Sequence, residues 1–151
     1  MKQTPIRIDP QYAAAQPADE ATAKQWLTDS ARTATEHDHQ AHMNLISRQV
    51  GLFGVPGFEV IGFDEWNSQC EKEFADATLS SVEYQGLKML GRKGNRIMFR
   101  TLETVTASDG KVNENGIEVI IEQESDGVWR LIQERILSAE EVRQDRLKRS
   151  N

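Results

Sequence analysis

The sequence predicts an α+β fold: a curved antiparallel sheet from the C-terminal half, wrapped on N-terminal helices, with a short C-terminal helix. Three observations predict it. Apolar residues recur at spacings of three and four between about residues 17 and 74, the period of one helix face. From about residue 80 the chain changes to long runs in which apolar and polar residues alternate, the period of a half-buried strand. Ser-Asp-Gly occurs twice, at 108–110 and 125–127, each time between two such runs. That is the chemistry of a hairpin turn with glycine in the left-handed position as a bulge.

The totals limit the function. A chain of 151 residues reads as one domain, and at that size roughly 68–70% of the unfolded surface is buried without disulfides or metal. Cys70 is the lone cysteine, so no internal disulfide forms, which fits a reducing, cytoplasmic location. Met1 leads into no apolar run of a signal peptide, and no stretch nears the ~18 apolar residues of a membrane span. The net charge of −6 argues against nucleic acid as a partner, because phosphate binding needs a positive face.

Residues 1–16 read as an extended arm, ordered by docking, with Tyr12 as the docking residue. The folded domain is expected over 17–138, and a charged helix and tail over 139–151. Pro17-Ala18-Asp19-Glu20 opens the first helix with proline and acids in its first turn. Ala23, Trp26, Leu27, Ser30, Ala31 and Ala34 form its buried face. A second helix is expected at about 38–47, carrying His39 and His42 on one face, with Asp38 placed to pair with His42 and raise its pKa. Two histidines without a third ligand at a diagnostic spacing do not make a metal site, so none is expected. Short β-like runs broken by glycine and proline follow at 49–62. Phe63 to Phe74 is a third helix, with Trp66, Cys70 and Phe74 on one stripe. Strands are expected at 81–90 (with Gly86 as a bulge), 96–106, 112–124 and 128–137. Ser138-Ala139-Glu140-Glu141 is a capping box that starts the last helix.

A three-residue loop in the second hairpin sets Glu122 opposite Arg130, Ile121 opposite Leu131 and Val119 opposite Gln133. One face then collects Ile117, Val119, Ile121, Trp129, Leu131, Gln133 and Arg135, extended by Ile97, Phe99, Thr101, Glu103 and Val105. Arg130, Ile132 and Glu134 fall on the other face. The assignment holds if Asn115-Gly116 does not shift the alternation, since a slip of one residue reverses every side chain beyond it. Glu103, Gln133 and Arg135 are then polar groups on an apolar surface, where each must be paired or wetted. They order the sheet as ion pairs or touch a ligand.

The run Phe58-Glu59-Val60-Ile61-Gly62-Phe63-Asp64-Glu65-Trp66, the strand start Asp126-Gly127-Val128-Trp129-Arg130-Leu131, and Ser138 together resemble the nuclear transport factor 2-like superfamily, in particular its SnoaL-like branch. The resemblance spans about residues 18–138. It implies a cone formed by a bent sheet around a long helix, an apolar internal pocket, and dimerisation through the sheet's outer face. Ketosteroid isomerase, scytalone dehydratase and non-enzymatic association domains all resemble this pattern, so the fold alone transfers no reaction. Isomerase-like members place a general-base carboxylate just before a proline after the second helix. Here that run is Leu52-Phe53-Gly54-Val55-Pro56, with no acid, so that mechanism does not carry over.

Two functions are open on the sequence. The first is a homodimeric module binding a small hydrophobic ligand or a protein partner, with Tyr84, Phe99, Glu103, Gln133 and Arg135 as ligand-binding candidates. The second is a cofactor-free lyase, isomerase or hydrolase acting on a small hydrophobic substrate. In it His39 or His42 is the acid or base, a role that suits a group titrating near neutral pH, and Tyr84, Glu103 or Arg135 polarises an oxygen.

Overall fold

The computed structural model describes residues 3–145 and residue 147. Its elements are α1 (Pro17–Thr35), α2 (His39–Met43), β1 (Ile46–Phe53), α3 (Phe63–Ala75), β2 (Leu79–Lys93), β3 (Arg96–Ala107), β4 (Val112–Gln123), β5 (Trp129–Ile136) and α4 (Ala139–Gln144). The sheet order is β1-β5-β4-β3-β2. Pairing is antiparallel except that β1 runs parallel to β5.

The helices begin where the local chemistry requires. Gln16 caps α1, and the Asp19 carboxylate accepts from the Gln16 backbone N–H at 2.8 Å, satisfying a donor that a helix end leaves orphaned. Ser138 caps α4 in the reciprocal arrangement, its Oγ accepting from the Glu141 N–H at 3.1 Å while Glu141 accepts from the Ser138 N–H at 3.0 Å. Gly110 and Gly127 take φ of 90° and 83°, the left-handed turn positions that side chains resist.

α2 is shorter than the expected 38–47, because Ile46 begins the first strand and pairs with Leu131. The apolar residues after Met43 therefore serve a sheet edge. The Leu45 carbonyl accepts from both the Leu131 N–H at 2.9 Å and the Trp26 indole N–H at 3.2 Å, tying α1 to the sheet.

β3 and β4 pair without interruption from Arg96↔Glu122 to Thr106↔Val112, so Asn115-Gly116 does not shift the alternation. The inner face holds Ile97, Phe99 and Thr101 of β3, Ile117, Val119 and Ile121 of β4, and Leu131 of β5, all buried under α1. Each large aliphatic or aromatic side chain buried there contributes roughly 1.5–3 kcal/mol.

The outer face is covered by the chain's own ends. The arm makes an antiparallel bridge at Ala13↔Arg92, the Lys93 ammonium lies 5.7 Å from the centre of the Tyr12 ring, and Ile6 exchanges two hydrogen bonds with the Gln133 amide at 2.7 and 2.9 Å. On the other side α4 docks through ion pairs, and Leu147 packs with Leu102 and Leu137. Among the described residues, no helix is long and apolar enough to cross a membrane.

Candidate functional site

A cavity of about 200 Å³ lies between the helices and the inner face of the sheet. α1 contributes Trp26 and Ser30, α2 His42, α3 Trp66, Cys70, Glu73 and Phe74. The strands contribute Tyr84 of β2, Glu103 of β3, and Leu131 and Glu134 of β5. A wider and more open groove of about 750 Å³ runs beside it between α1 and β2, sharing Tyr84. Its other titratable groups, Glu20 and Lys24, pair with each other at 3.4 Å on the helix surface. The chemistry is concentrated in the smaller cavity.

Strand geometry decides which residues reach it. β5 pairs Ile121↔Leu131 but then Ile120↔Gln133, a bulge centred on Ile132. β1 is irregular at the same place, going from Ile46↔Leu131 to Gly51↔Gln133. The extra residue reverses every side chain beyond it. Glu134, expected outside, faces Val119 and lines the cavity. Gln133 and Arg135, expected inside with Leu131, lie on the outer face. Gln133 holds Ile6 of the arm. Arg135 pairs with Glu118 at 3.2 Å and Glu141 at 2.8 Å. Glu118 is 2% exposed and also receives Arg100 at 2.8 Å, so this is a buried ion-pair network that pins α4 to the sheet.

Of the other sequence candidates, Tyr84, Glu103 and His42 converge on the cavity. Phe99 is wholly buried in the apolar core. His39 packs edge-on to Phe74 at 6.3 Å between ring centres, and its Nε2 is buried without a hydrogen-bond partner. All three histidines surround that phenylalanine, with His37 at 5.4 Å and His42 at 5.9 Å.

His42 Nδ1 lies 2.8 Å from Thr33 Oγ1. With the Thr33 hydroxyl donating to the Asp29 carbonyl at 2.8 Å, Nδ1 is the nitrogen that carries the proton and Nε2 the basic one. The expected Asp38–His42 pair does not form, since the Asp38 side chain caps α2 by accepting from the Ala41 N–H. Burial lowers the His42 pKa to about 4 instead of raising it, leaving the ring neutral at pH 7.

The carboxyls shift the other way. Burial, and then the charge of Glu103, hold Glu134 protonated well above the ordinary carboxylate range. Burial also raises Glu103, an effect countered by the Tyr84 hydroxyl. Tyr84 is itself pushed well above its ordinary value, by burial and then by Glu103 and Glu134. Its hydroxyl shares a 3.1 Å hydrogen bond with Ser30. Burial raises the half-buried Glu73 and pushes the Cys70 thiol up to about 12, which makes Cys70 an inert cavity wall rather than a nucleophile. Two acids whose surroundings separate their pKa values form a division into acid and base. No group of three or more His, Cys, Asp or Glu among the described residues could hold a metal ion.

Glu134 and Glu73 escaped the sequence reading. Glu73 could have been found, since it adjoins Phe74 on the third helix. Glu134 carried no local signal, because the bulge at Ile132 falls in a run without glycine.

Helices over one face of a strongly bent sheet, around an internal cavity, define the nuclear transport factor 2-like, or cystatin-like, α+β fold. The chain has that fold. A conserved protein from Planctomyces limnophilus is similar with a TM-score of 0.63 and 20% identity, over 81% of this chain and 98% of that one. A nuclear transport factor 2-like protein of unknown function from Pseudomonas putida is similar with a TM-score of 0.66 and 14% identity, over 80% and 87% of the two chains. A putative scytalone dehydratase from Novosphingobium aromaticivorans is similar with a TM-score of 0.66 and 9% identity, over 79% and 83%. No family model and no curated protein matches the sequence.

Proposed function

We propose that the cavity is an acid–base site for a small, largely apolar molecule, and that the chain acts as a lyase, isomerase or hydrolase. The observation that carries this reading is the convergence of Glu103, Glu134, Tyr84 and neutral His42 on one cavity. Glu103 ionises before Glu134 and serves as base. Glu134 keeps its proton and serves as acid, and Tyr84 donates a hydrogen bond to an oxygen of the substrate. His42 Nε2 accepts a hydrogen bond from the substrate. The two carboxyls supply from β3 and β5 the acid chemistry that the run before Pro56 lacks.

The test is proton exchange. Small ketones and β-hydroxyketones incubated with the protein in D2O should lose α-protons or water, as followed by NMR, and Glu103→Gln should abolish the change. If wild type and Glu103→Gln leave every compound intact, the catalytic reading falls, and any cavity ligand is merely bound.

We infer that the chain belongs to the SnoaL-like branch, a reading supported by the run from Phe58 to Trp66 and the Asp126-Gly127-Val128-Trp129 turn. A cytoplasmic location is supported by the lone, buried Cys70. A homodimer through the outer sheet face would include the arm and α4, which cover that face. A monomeric mass by light scattering at micromolar concentration would remove the dimer.

A further inference from the structure

We propose that the occupant of this cavity carries a positively charged nitrogen: a small organic ammonium held among aromatic rings and against Glu103 and Glu134. This rests on the cavity being a small-molecule site and adds the charge of the ligand.

Three carboxyl groups face the cavity from three elements, Glu73 on α3, Glu103 on β3 and Glu134 on β5, and among the described residues no lysine or arginine lines it. Elsewhere the fold matches its buried acids with cations. Asp19 has Arg92 at 2.6 Å, Glu118 has Arg100 and Arg135 at 2.8 and 3.2 Å, and Asp145 has Lys88 and Arg100, both at 2.5 Å. Glu134 departs from that pattern. It is 7% exposed, lines the cavity, and has no hydrogen bond or cation among the described residues. A buried carboxyl in that position is satisfied at low cost only by a proton or by a cation brought to it.

The walls suit an organic cation. Trp26, Trp66, Phe74 and Tyr84 all line the cavity, and the faces of such rings attract ammonium groups, most strongly when desolvated. His42 is neutral and adds no competing positive charge. A volume of about 200 Å³ is below that of drug-sized pockets and restricts the ligand to a small molecule. A metal ion fits less well, because the carboxyls and His42 do not gather as a ligand set.

Benzylammonium, benzyl alcohol and benzoate differ chiefly in charge and serve as probes. Each is titrated into the full chain at pH 7, with the indole N–H resonances of Trp26 and Trp66 as readout. Benzylammonium should bind about tenfold or more tightly than benzyl alcohol, and benzoate should not bind. The ammonium takes the place of the Glu134 proton, so Glu134→Gln should erase that preference by weakening the ammonium alone, and Glu103→Gln, which removes the carboxylate that ionises first, should do the same. Equal binding of alcohol and ammonium, or a preference that survives both substitutions, overturns the cationic ligand but leaves the small-molecule site standing. If no probe moves either indole, the site and the cationic ligand fall together.

Discussion

His42 Nδ1 and Thr33 Oγ1 meet at 2.8 Å beneath α1, and this contact holds an uncharged imidazole in the wall of the cavity. The folded pKa of about 4 lies below the ordinary 6.5. Between those values the unfolded chain binds the proton that the folded chain refuses, so stability is full above pH 6.5 and declines as pH falls toward 4. The loss should reach about 3 kcal/mol at pH 4. Urea denaturation at pH 7, 5.5 and 4.5 should show the decline, and His42→Gln should flatten it. An equal decline in both proteins would assign it to other groups.

Glu134 has the opposite sign. Its folded pKa is raised, so its favourable contribution is complete below the ordinary carboxylate pKa and is lost as pH rises. Glu134→Gln keeps the shape and removes the charge. The variant should be more stable than wild type at pH 8, by about 1–2 kcal/mol, with the gain vanishing near pH 4. Thermal melts at the two pH values decide it, and a destabilised variant at pH 8 would show that Glu134 is ionised and paired.

Arg135 was a candidate for the pocket and is instead a clamp on the outer face. Arg135→Ala leaves Glu118 with Arg100 alone and leaves Glu141 only its longer 3.4 Å ion pair with the same arginine. The cost should be about 2–4 kcal/mol, since an ion pair is broken around a carboxylate 2% exposed. Hydrogen exchange should rise first in α4. Binding in the cavity should be unchanged, and a binding defect without an exchange change would return Arg135 to the ligand site.

The same clamp carries an acid response. Glu141 is held down to about 2, first by its hydrogen bonds from Arg135. A depressed carboxylate stabilises above its ordinary pKa of 4.5 and loses that contribution as pH falls toward 2. Exchange protection in α4 should therefore fall across that window, ahead of the β3–β4 core, and Glu141→Gln should reduce the pH dependence to the share carried by Asp145, whose carboxyl, against the effect of burial, is also held down by Lys88 and Arg100.

Gly91 sits where the arm touches the sheet, and a Cβ there would come within 2.7 Å of the Ala13 carbonyl oxygen at a φ of +154°. Gly91→Ala should release residues 6–13, seen as faster exchange and new proteolytic cuts, with α1 and the cavity intact. The cost should be about 1–3 kcal/mol. An arm protected as in wild type would show that the backbone there can yield.

Much of the cavity was readable in advance. The β3 alternation puts Glu103 inside, while Tyr84 on β2 and His42 on the second helix are candidates by residue type that the fold brings to the same cavity. Cys70 and Trp66 followed from the stripe of the third helix. On the strand faces the error is confined to residues beyond Leu131, where Gln133 and Arg135 exchange places with Glu134, and on the helices it lies in α2, which ends at Met43 and uses Asp38 as its cap rather than as a partner of His42.

The order of helices and strands, both Ser-Asp-Gly turns, the capping box at Ser138 and the inner face as far as Leu131 are local matters, and the sequence by itself determined them. The side of β5 on which Glu134 lies was decided only by the tertiary structure. β5 is the one strand that must pair antiparallel with β4 and parallel with β1 at once. Both ladders become irregular between Leu131 and Gln133, and the residue taken up there exchanges the two faces. No side chain in Arg-Leu-Ile-Gln demands that bulge. It is set by closing the sheet between two neighbours, so the carboxyl that completes the cavity is a product of assembly rather than of local sequence.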